Sequence, residues 1–229
     1  TYRRTVRNTS DQECLQYEIL SQFYDKDGND FPAALFVPVA EQLGVMSALD
    51  RLVIEKVLAL PEQIFHDRRV TVNLSSSSVA DTAFVDWLEK RLQQQRGRLK
   101  FNFEIPEFLV SAHLEEIAAF GRRVAKMGHG IGVDHFGQGL VRFGYLQTLQ
   151  PDYIKIDRAL TQELTMKESD VYFFIRSLCT VAHSLDIKVM VDGVENEQQR
   201  NLLLELNIDA VQGFYIDRPS LLEESVMTG

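Results

Sequence analysis

The chain has 229 residues, 45% hydrophobic and 25% charged, with a formal net charge of −9; this is globular composition, long enough for one large domain or two small ones. A net anion gains nothing from counterion release on duplex DNA or RNA, so non-specific nucleic-acid binding is disfavoured, although a local basic pocket for a small phosphate ligand stays open. The two cysteines, Cys14 and Cys179, have no metal-like spacing and suggest a reducing compartment without a disulfide framework, and no apolar run approaches the roughly 18 residues that would span a bilayer.

The chain opens on TYRRTVRN (1–8), already strand-like and with no visible signal peptide. It is therefore expected to be a single domain, 1–229, taken from a longer multidomain protein. CLQYEILSQFY (14–24) reads as a neighbouring strand. DKDGND (25–30) resembles the start of a calcium loop, but it lacks the length and the terminal glutamate and is read as a polar turn. Two helical stretches follow, at 32–43 and 47–59. RRVTVNLS (68–75) is a strand, and SSSS (75–78) a connection that supplies a helix N-cap. The segment 79–95 has apolar residues at helical spacing. LKFNFEIPE (99–107) is the next strand, and HLEEIAAFGRRVAKMG (113–128) the next helix, ended by Gly128. GIGVDH (130–135) is a strand, RFGYLQTL (142–149) a short helix and DYIKID (152–157) a strand. A helix at 171–185 follows, whose YFFI run (172–175) is read as core. IKVMVD (187–192) is a strand, NEQQRNLLLELN (196–207) a helix, and AVQGFY (210–215) a last strand.

No internal repeat or linker divides the chain. Repeated βα units argue for a parallel sheet, and this many in one domain suits a closed TIM-like (β/α)8 barrel, an open doubly wound sheet being the competitor. The barrel predicts that polar residues at the C-terminal ends of its strands converge. Glu18, Asn73, Glu104, Asp134, Lys155, Asp192 and Gln212 stand at or near those ends. One such residue is ordinarily an end-cap; seven on successive strands are poorly explained that way.

Glu18, Asn73, Glu104 and Asp134 make a hard-oxygen set suited to Mg²⁺, Mn²⁺ or Ca²⁺ rather than zinc. Lys155 lies on the next strand. With its pKa lowered at a crowded metal site it could orient or deprotonate a water; the bland alternative is a rim salt bridge to Glu104 or Asp134. Metal-assisted phosphodiester hydrolysis fits the set, with Lys155 and Glu18 as its catalytic residues. His129 and His183 fall in helix or turn context and are read as structural.

Seven ordered motifs resemble the EAL domain family of bacterial cyclic-di-GMP phosphodiesterases, over nearly the whole chain. YEIL (17–20) stands at the Glu-Ala-Leu signature, followed by VTVNLS, FEIPE (103–107), VDHFGQG (133–139), YIKID, VDGVE (191–195) and VQGFYIDRP (211–219). The resemblance implies a barrel with one antiparallel strand near the N-terminus and a cytoplasmic location, in a protein that could be anchored in the inner membrane. It also implies frequent fusion to a diguanylate-cyclase-like domain, dimerisation around the sixth strand and its loop, and Mg or Mn as cofactor. Carried over position by position, it implies ligand contacts from Leu20, Gln22, Arg4, Asn73, Asp157, Asp192, Gln212 and Pro219, with Glu107 supporting the loop after Asp134.

Departures from the active pattern cluster. The second of two adjacent metal-binding aspartates is His135; neutral imidazole can ligate a metal but lacks the charge that holds a hard Mg²⁺. Asp192 replaces a glutamate and falls short by about 1.5 Å, one C–C bond. Gln22 replaces a phosphate-gripping arginine. The loop after Asp134, Ser-rich in the family, reads LVRF (140–143). Arg4 stands, on ungapped counting, where the family has a ligand-facing glutamine. The first metal set is kept and the second, with His135, is damaged. The favoured expectation is a degenerate EAL domain that binds cyclic-di-GMP as a receptor with little or no hydrolysis, resembling in design the LapD-type and FimX-type members. A live phosphodiesterase giving pGpG, with His135 as substitute ligand, is the alternative; a nucleotide-free protein scaffold is the third. A homodimer and an unidentified protein partner are expected in each signalling reading.

Overall fold

The computed structural model of the protein describes residues 1–9, 11–95, 98–138 and 143–221. In chain order the elements are β1 (Tyr2–Arg7), β2 (Cys14–Ile19), β3 (Phe23–Tyr24), β4 (Asp30–Phe31), α1 (Ala33–Gln42), α2 (Met46–Ala59), β5 (Arg69–Asn73), α3 (Ser76–Ala80), α4 (Thr82–Gln94) and β6 (Phe101–Pro106). They continue with α5 (Glu107–Ala112), α6 (Leu114–Ala125), β7 (Gly130–Phe136), α7 (Gly144–Leu149), β8 (Tyr153–Ile156), α8 (Arg158–Glu163), α9 (Asp170–Ser184), β9 (Lys188–Val191), α10 (Glu197–Glu205) and β10 (Ala210–Val211).

The strands close into a barrel in the order β1-β10-β9-β8-β7-β6-β5-β2. β1 runs antiparallel to both neighbours, β2 and β10, and the remaining barrel pairs are parallel. This is the closed barrel with one antiparallel N-terminal strand; the open sheet is excluded. Residues alternate between the lumen and the helix layer, as the period of two requires. Val70, Val72, Phe103, Ile105, Val133, Ile154, Ile156, Val189 and Val191 are almost fully buried and join one core cluster with the helices. The lumen face is polar instead. Across the ladder Arg3 faces Glu18, Glu18 faces Thr71, and Asn73 faces Glu104. Gln16 donates there to the Tyr153 hydroxyl and accepts from Asn102 Nδ2.

Gly132 shows why the strand GIGVDH carries no side chain at its centre. A Cβ there would lie 2.4 Å from the Tyr153 ring, so the glycine leaves Tyr153 room to cross the lumen.

Several expected elements differ locally. The helix read over 79–95 is two helices: Ser75 caps α3, and Asp81 ends it and caps α4 by accepting from the Ala83 N–H at 2.9 Å. The short helices α5 and α8 follow β6 and β8 directly and are too brief to leave a period in sequence. The last strand is only Ala210–Val211, because Gly213 turns the chain against the Val194 backbone. α6 ends earlier than read, at Ala125 with Lys126 as its C-cap, and Gly128 closes the turn that follows, at φ +83° with its N–H on the Ala125 carbonyl at 3.0 Å. The polar turn at 25–30 is organised by Asp25, which accepts from the Asp27 and Asn29 N–H groups. In the YFFI run, Tyr172 and Ile175 enter the core, but Phe173 is 47% and Phe174 37% exposed; four consecutive helical residues span every direction, so they cannot all face inward. No helix among the described residues is long and apolar enough to cross a membrane.

Candidate functional site

The C-terminal ends of the parallel strands bring the predicted residues to one mouth. The Glu18 side chain, 5% exposed, accepts from Asn73 Nδ2 at 3.1 Å through Oε1 and from Gln212 Nε2 through Oε2. Glu104 is fully buried; its Oε1 accepts from the Tyr153 hydroxyl at 2.8 Å and its Oε2 from Lys155 Nζ at 2.6 Å. Lys155 Nζ also lies 3.3 Å from Asp134 Oδ2 and 3.4 Å from Glu18 Oε2. Glu18, Glu104 and Asp134 each place a carboxylate oxygen within 4.8 Å of the others. Side chains from β2, β5, β6, β7 and β8 thus meet around one point.

Burial and charge split these acids. Burial raises Glu18, but Lys155, Arg3 and the bonds from Gln212 and Asn73 outweigh it and bring its pKa down to about 2. Burial, opposed by Lys155 and reinforced by Asp134 and Glu18, pushes Glu104 up to about 8. Asp134 is raised by burial and by Glu18, against Lys155. Burial disfavours the Lys155 ammonium, yet Asp134, Glu104 and Glu18 together hold its pKa well above the ordinary lysine value. The three carboxylates around it favour Lys155 as a cation and donor, whereas the lowered lysine expected from sequence belongs to a site whose metal ion offsets those charges. The rim salt bridge foreseen as its bland role is present, and it is the centre of the cluster.

The donor set fits a hard divalent ion. The carboxylates converge, and Asn73 spends its NH₂ on Glu18, which leaves its carbonyl oxygen free for an ion. Above it lies a cleft of about 520 Å³ whose lining includes Glu18, Leu20, Asn73, Asp134, Lys155 and Asp192, with an apolar wall of Phe23, Val37, Met46, Leu49, Phe108 and Leu109.

A family model described as "EAL domain" matches residues 4–219. The chain belongs to the EAL domain family. It is 30% identical over 217 residues to the cyclic di-GMP phosphodiesterase PdeB of Shewanella oneidensis, covering 90% of this chain and 24% of PdeB. The EAL domain of FimX from Pseudomonas aeruginosa, bound to c-di-GMP, superposes with a TM-score of 0.87 at 25% identity, covering 96% of this chain and 89% of that one. Vibrio cholerae LapD (S helix, GGDEF and EAL), also bound to c-di-GMP, does so at 0.84 and 28% identity, covering 95% and 53%. The chain spans about a quarter of the length of PdeB.

Other predicted positions of this EAL domain fall elsewhere. Gln22 lines a neighbouring groove of about 620 Å³ with Thr1, Tyr24 and Leu52, and accepts from the Tyr24 hydroxyl at 3.1 Å. Pro219 is exposed beside the Tyr2–Ser220 bridge. Asp157 is buried as the N-cap of α8 and holds His135 Nδ1 at 2.7 Å. His135 itself sits at φ +55°, where the β7–β8 register slips. Its ring is about half exposed, and its Nε2 lies 3.9 Å from Asp134 Oδ2. Glu107 accepts from the Gly137 N–H at 2.9 Å and the Tyr145 hydroxyl at 3.1 Å, tying together the two sides of the β7–α7 connection. Of LVRF, residues 140–142 lie outside the described residues; Phe143 packs near Phe136.

Arg4 is a correction. Counting without gaps placed it at the mouth, but β1 turns it outward, where Nε bonds Asp217 Oδ2 at 3.0 Å. The inward residue is Arg3, which lies opposite Glu18 in the β1–β2 ladder. Thr5, two residues on, bonds Gln212 in the lumen, and a period of two then puts Arg3, not Arg4, on that face. Tyr153 was missed for want of a strand-end position, being one pleat deeper than Lys155.

The two histidines read as structural have structural partners. His129 Nδ1 accepts from the Phe101 N–H at 3.0 Å, and His183 pairs with Asp209 at 2.8 Å.

Proposed function

We propose that this EAL domain binds cyclic-di-GMP as a receptor and passes the signal on with little or no hydrolysis. One observation carries the reading: the carboxylates gather around a single point, while the position beside Asp134 carries an imidazole tethered to Asp157. Any divalent ion reaching this mouth would be held by Glu18, Asn73, Glu104 and Asp134, and when bound would supply Lewis acidity and neutralise a phosphodiester oxygen. The second set, with His135 for a carboxylate and the shorter Asp192, is weakened. Loss of a transition-state stabiliser of that kind costs about 10²–10³ in rate, whereas ground-state binding keeps the cleft, its apolar wall for a planar base and the Lys155 charge. Lys155 serves as the fixed cation that orients Glu104 and Asp134.

The domain is read as one cytoplasmic module of a longer protein, working as a homodimer with a fused diguanylate-cyclase-like domain and a protein partner. Calorimetric titration with cyclic-di-GMP, followed by incubation with Mn²⁺ and chromatography for pGpG, tests the reading. Binding without product supports it; product that disappears in Glu18→Ala overturns it in favour of the enzyme. That second reading has one observation in its favour, the approach of His135 Nε2 to Asp134, with Asp157 orienting the ring as carboxylates orient metal-bound histidines.

A further inference from the structure

The antiparallel pairing of β1 with β2 sets Arg3 directly opposite Glu18. The side chain is 14% exposed, and its Nη2 lies 3.1 Å from Asp192 Oδ1 and 3.4 Å from Glu18 Oε2. The guanidinium therefore bridges two carboxylates on opposite sides of the β1–β10 seam. Its Nε is buried without a hydrogen-bond partner among the described residues, so the group is positioned by charge rather than by a full set of bonds. On the other side of Glu18 stands Lys155, which holds Glu104 and Asp134. Four acidic side chains, Glu18, Glu104, Asp134 and Asp192, thus already face two resident cations before any ion arrives.

Arginine stays charged at every accessible pH and cannot step aside by losing a proton. A divalent ion seated on Glu18 would meet that fixed positive charge at close range with little water between. Glu18 Oε2 is already shared by Arg3, Lys155 and Gln212, so an ion must also displace donors.

We propose that Arg3 is a built-in substitute for a divalent cation at this mouth: it balances Glu18 and Asp192, suppresses metal binding there, and lets the phosphodiester ligand bind without metal. The ligand part rests on the receptor reading above; the metal part does not.

The test separates the two. Mn²⁺ is titrated into the nucleotide-free domain and followed by the EPR signal of free Mn²⁺, for wild type, Arg3→Gln and Arg3→Lys. Arg3→Gln is expected to bind Mn²⁺ at least tenfold tighter than wild type, Arg3→Lys to stay within about threefold of it, and Glu18→Ala added to Arg3→Gln to abolish the gain. Equal or weaker Mn²⁺ binding by Arg3→Gln overturns the proposal, as does a gain that survives Glu18→Ala. Thermal melting checks that each variant folds, and Arg3→Met, which keeps the aliphatic stem, replaces Arg3→Gln if that variant does not. In parallel, cyclic-di-GMP is titrated with EDTA and with Mn²⁺. Wild type is expected to bind equally in both, and Arg3→Gln to need Mn²⁺. Wild-type binding that requires Mn²⁺ overturns metal independence. No nucleotide binding under either condition defeats the receptor reading, while the Mn²⁺ titration still decides the role of Arg3.

Discussion

The Lys155 ammonium sits 2.6 Å from Glu104 Oε2 in the closed interior of the barrel, with neither side chain more than 2% exposed. The pair is the keystone of the mouth, because Glu18 and Asp134 reach the same nitrogen. Removing one partner of a buried pair strands the other charge, which costs about 3–5 kcal/mol. Lys155→Met is therefore expected to lower unfolding free energy by about that amount in a urea titration. Adding Glu104→Gln should recover a good part of it, and simple additivity of the two losses would contradict the coupling.

Gly132 faces the Tyr153 ring, with 2.4 Å available to a Cβ. Gly132→Ala should destabilise the domain by about 1–3 kcal/mol through overpacking. It should also displace the Tyr153 hydroxyl from Glu104, which near-ultraviolet circular dichroism would report. A melting temperature equal to wild type would show that the lumen has slack.

His129 provides a pH signature. Burial, with a smaller contribution from Arg69, lowers its pKa to about 4. The folded state therefore resists a proton that the unfolded chain accepts below about 6.5. Its contribution to stability is complete above that pH and declines as pH falls toward 4, by on the order of 1–2 kcal/mol once solvent screening is counted. In denaturant titrations between pH 7 and 4, His129→Gln should be less stable at neutral pH but show a shallower acid decline; an unchanged slope would assign the decline to other groups.

His135→Asp restores a carboxylate beside Asp134. If the imidazole is the main lesion, release of pGpG with Mn²⁺ should rise at least tenfold over wild type. On the receptor reading proposed above, no rise would point to Asp192 or to the loop after Gly137 instead.

Asp50 is a buried carboxylate that accepts from the Ser75 N–H and from the Ser75 and Ser78 hydroxyls, at 2.9, 2.8 and 2.6 Å. It fixes the turn that carries Asn73 into the mouth. Asp50→Ala leaves these donors unpaired and should cost about 1–3 kcal/mol, read as a lowered melting temperature, with Asp50→Asn milder.

Sequence alone carried the architecture and much of the mouth of this protein. Alternating β-branched runs and amphipathic segments mark βα units, and polar residues that close apolar runs mark strand ends; both signals are local, so they survive in one dimension. Glu18, Asn73, Glu104, Asp134, Lys155, Asp192 and Gln212 were legible for that reason. Which residues of β1 face inward was not, since an off-by-one count exchanges the two faces of a strand; only the ladder to β2 and β10 selected Arg3 over Arg4. The charge state of Lys155 was equally out of reach. It depends on the summed fields of three acids, 21, 51 and 137 positions away in the chain, and those fields exist only when the barrel closes and excludes water.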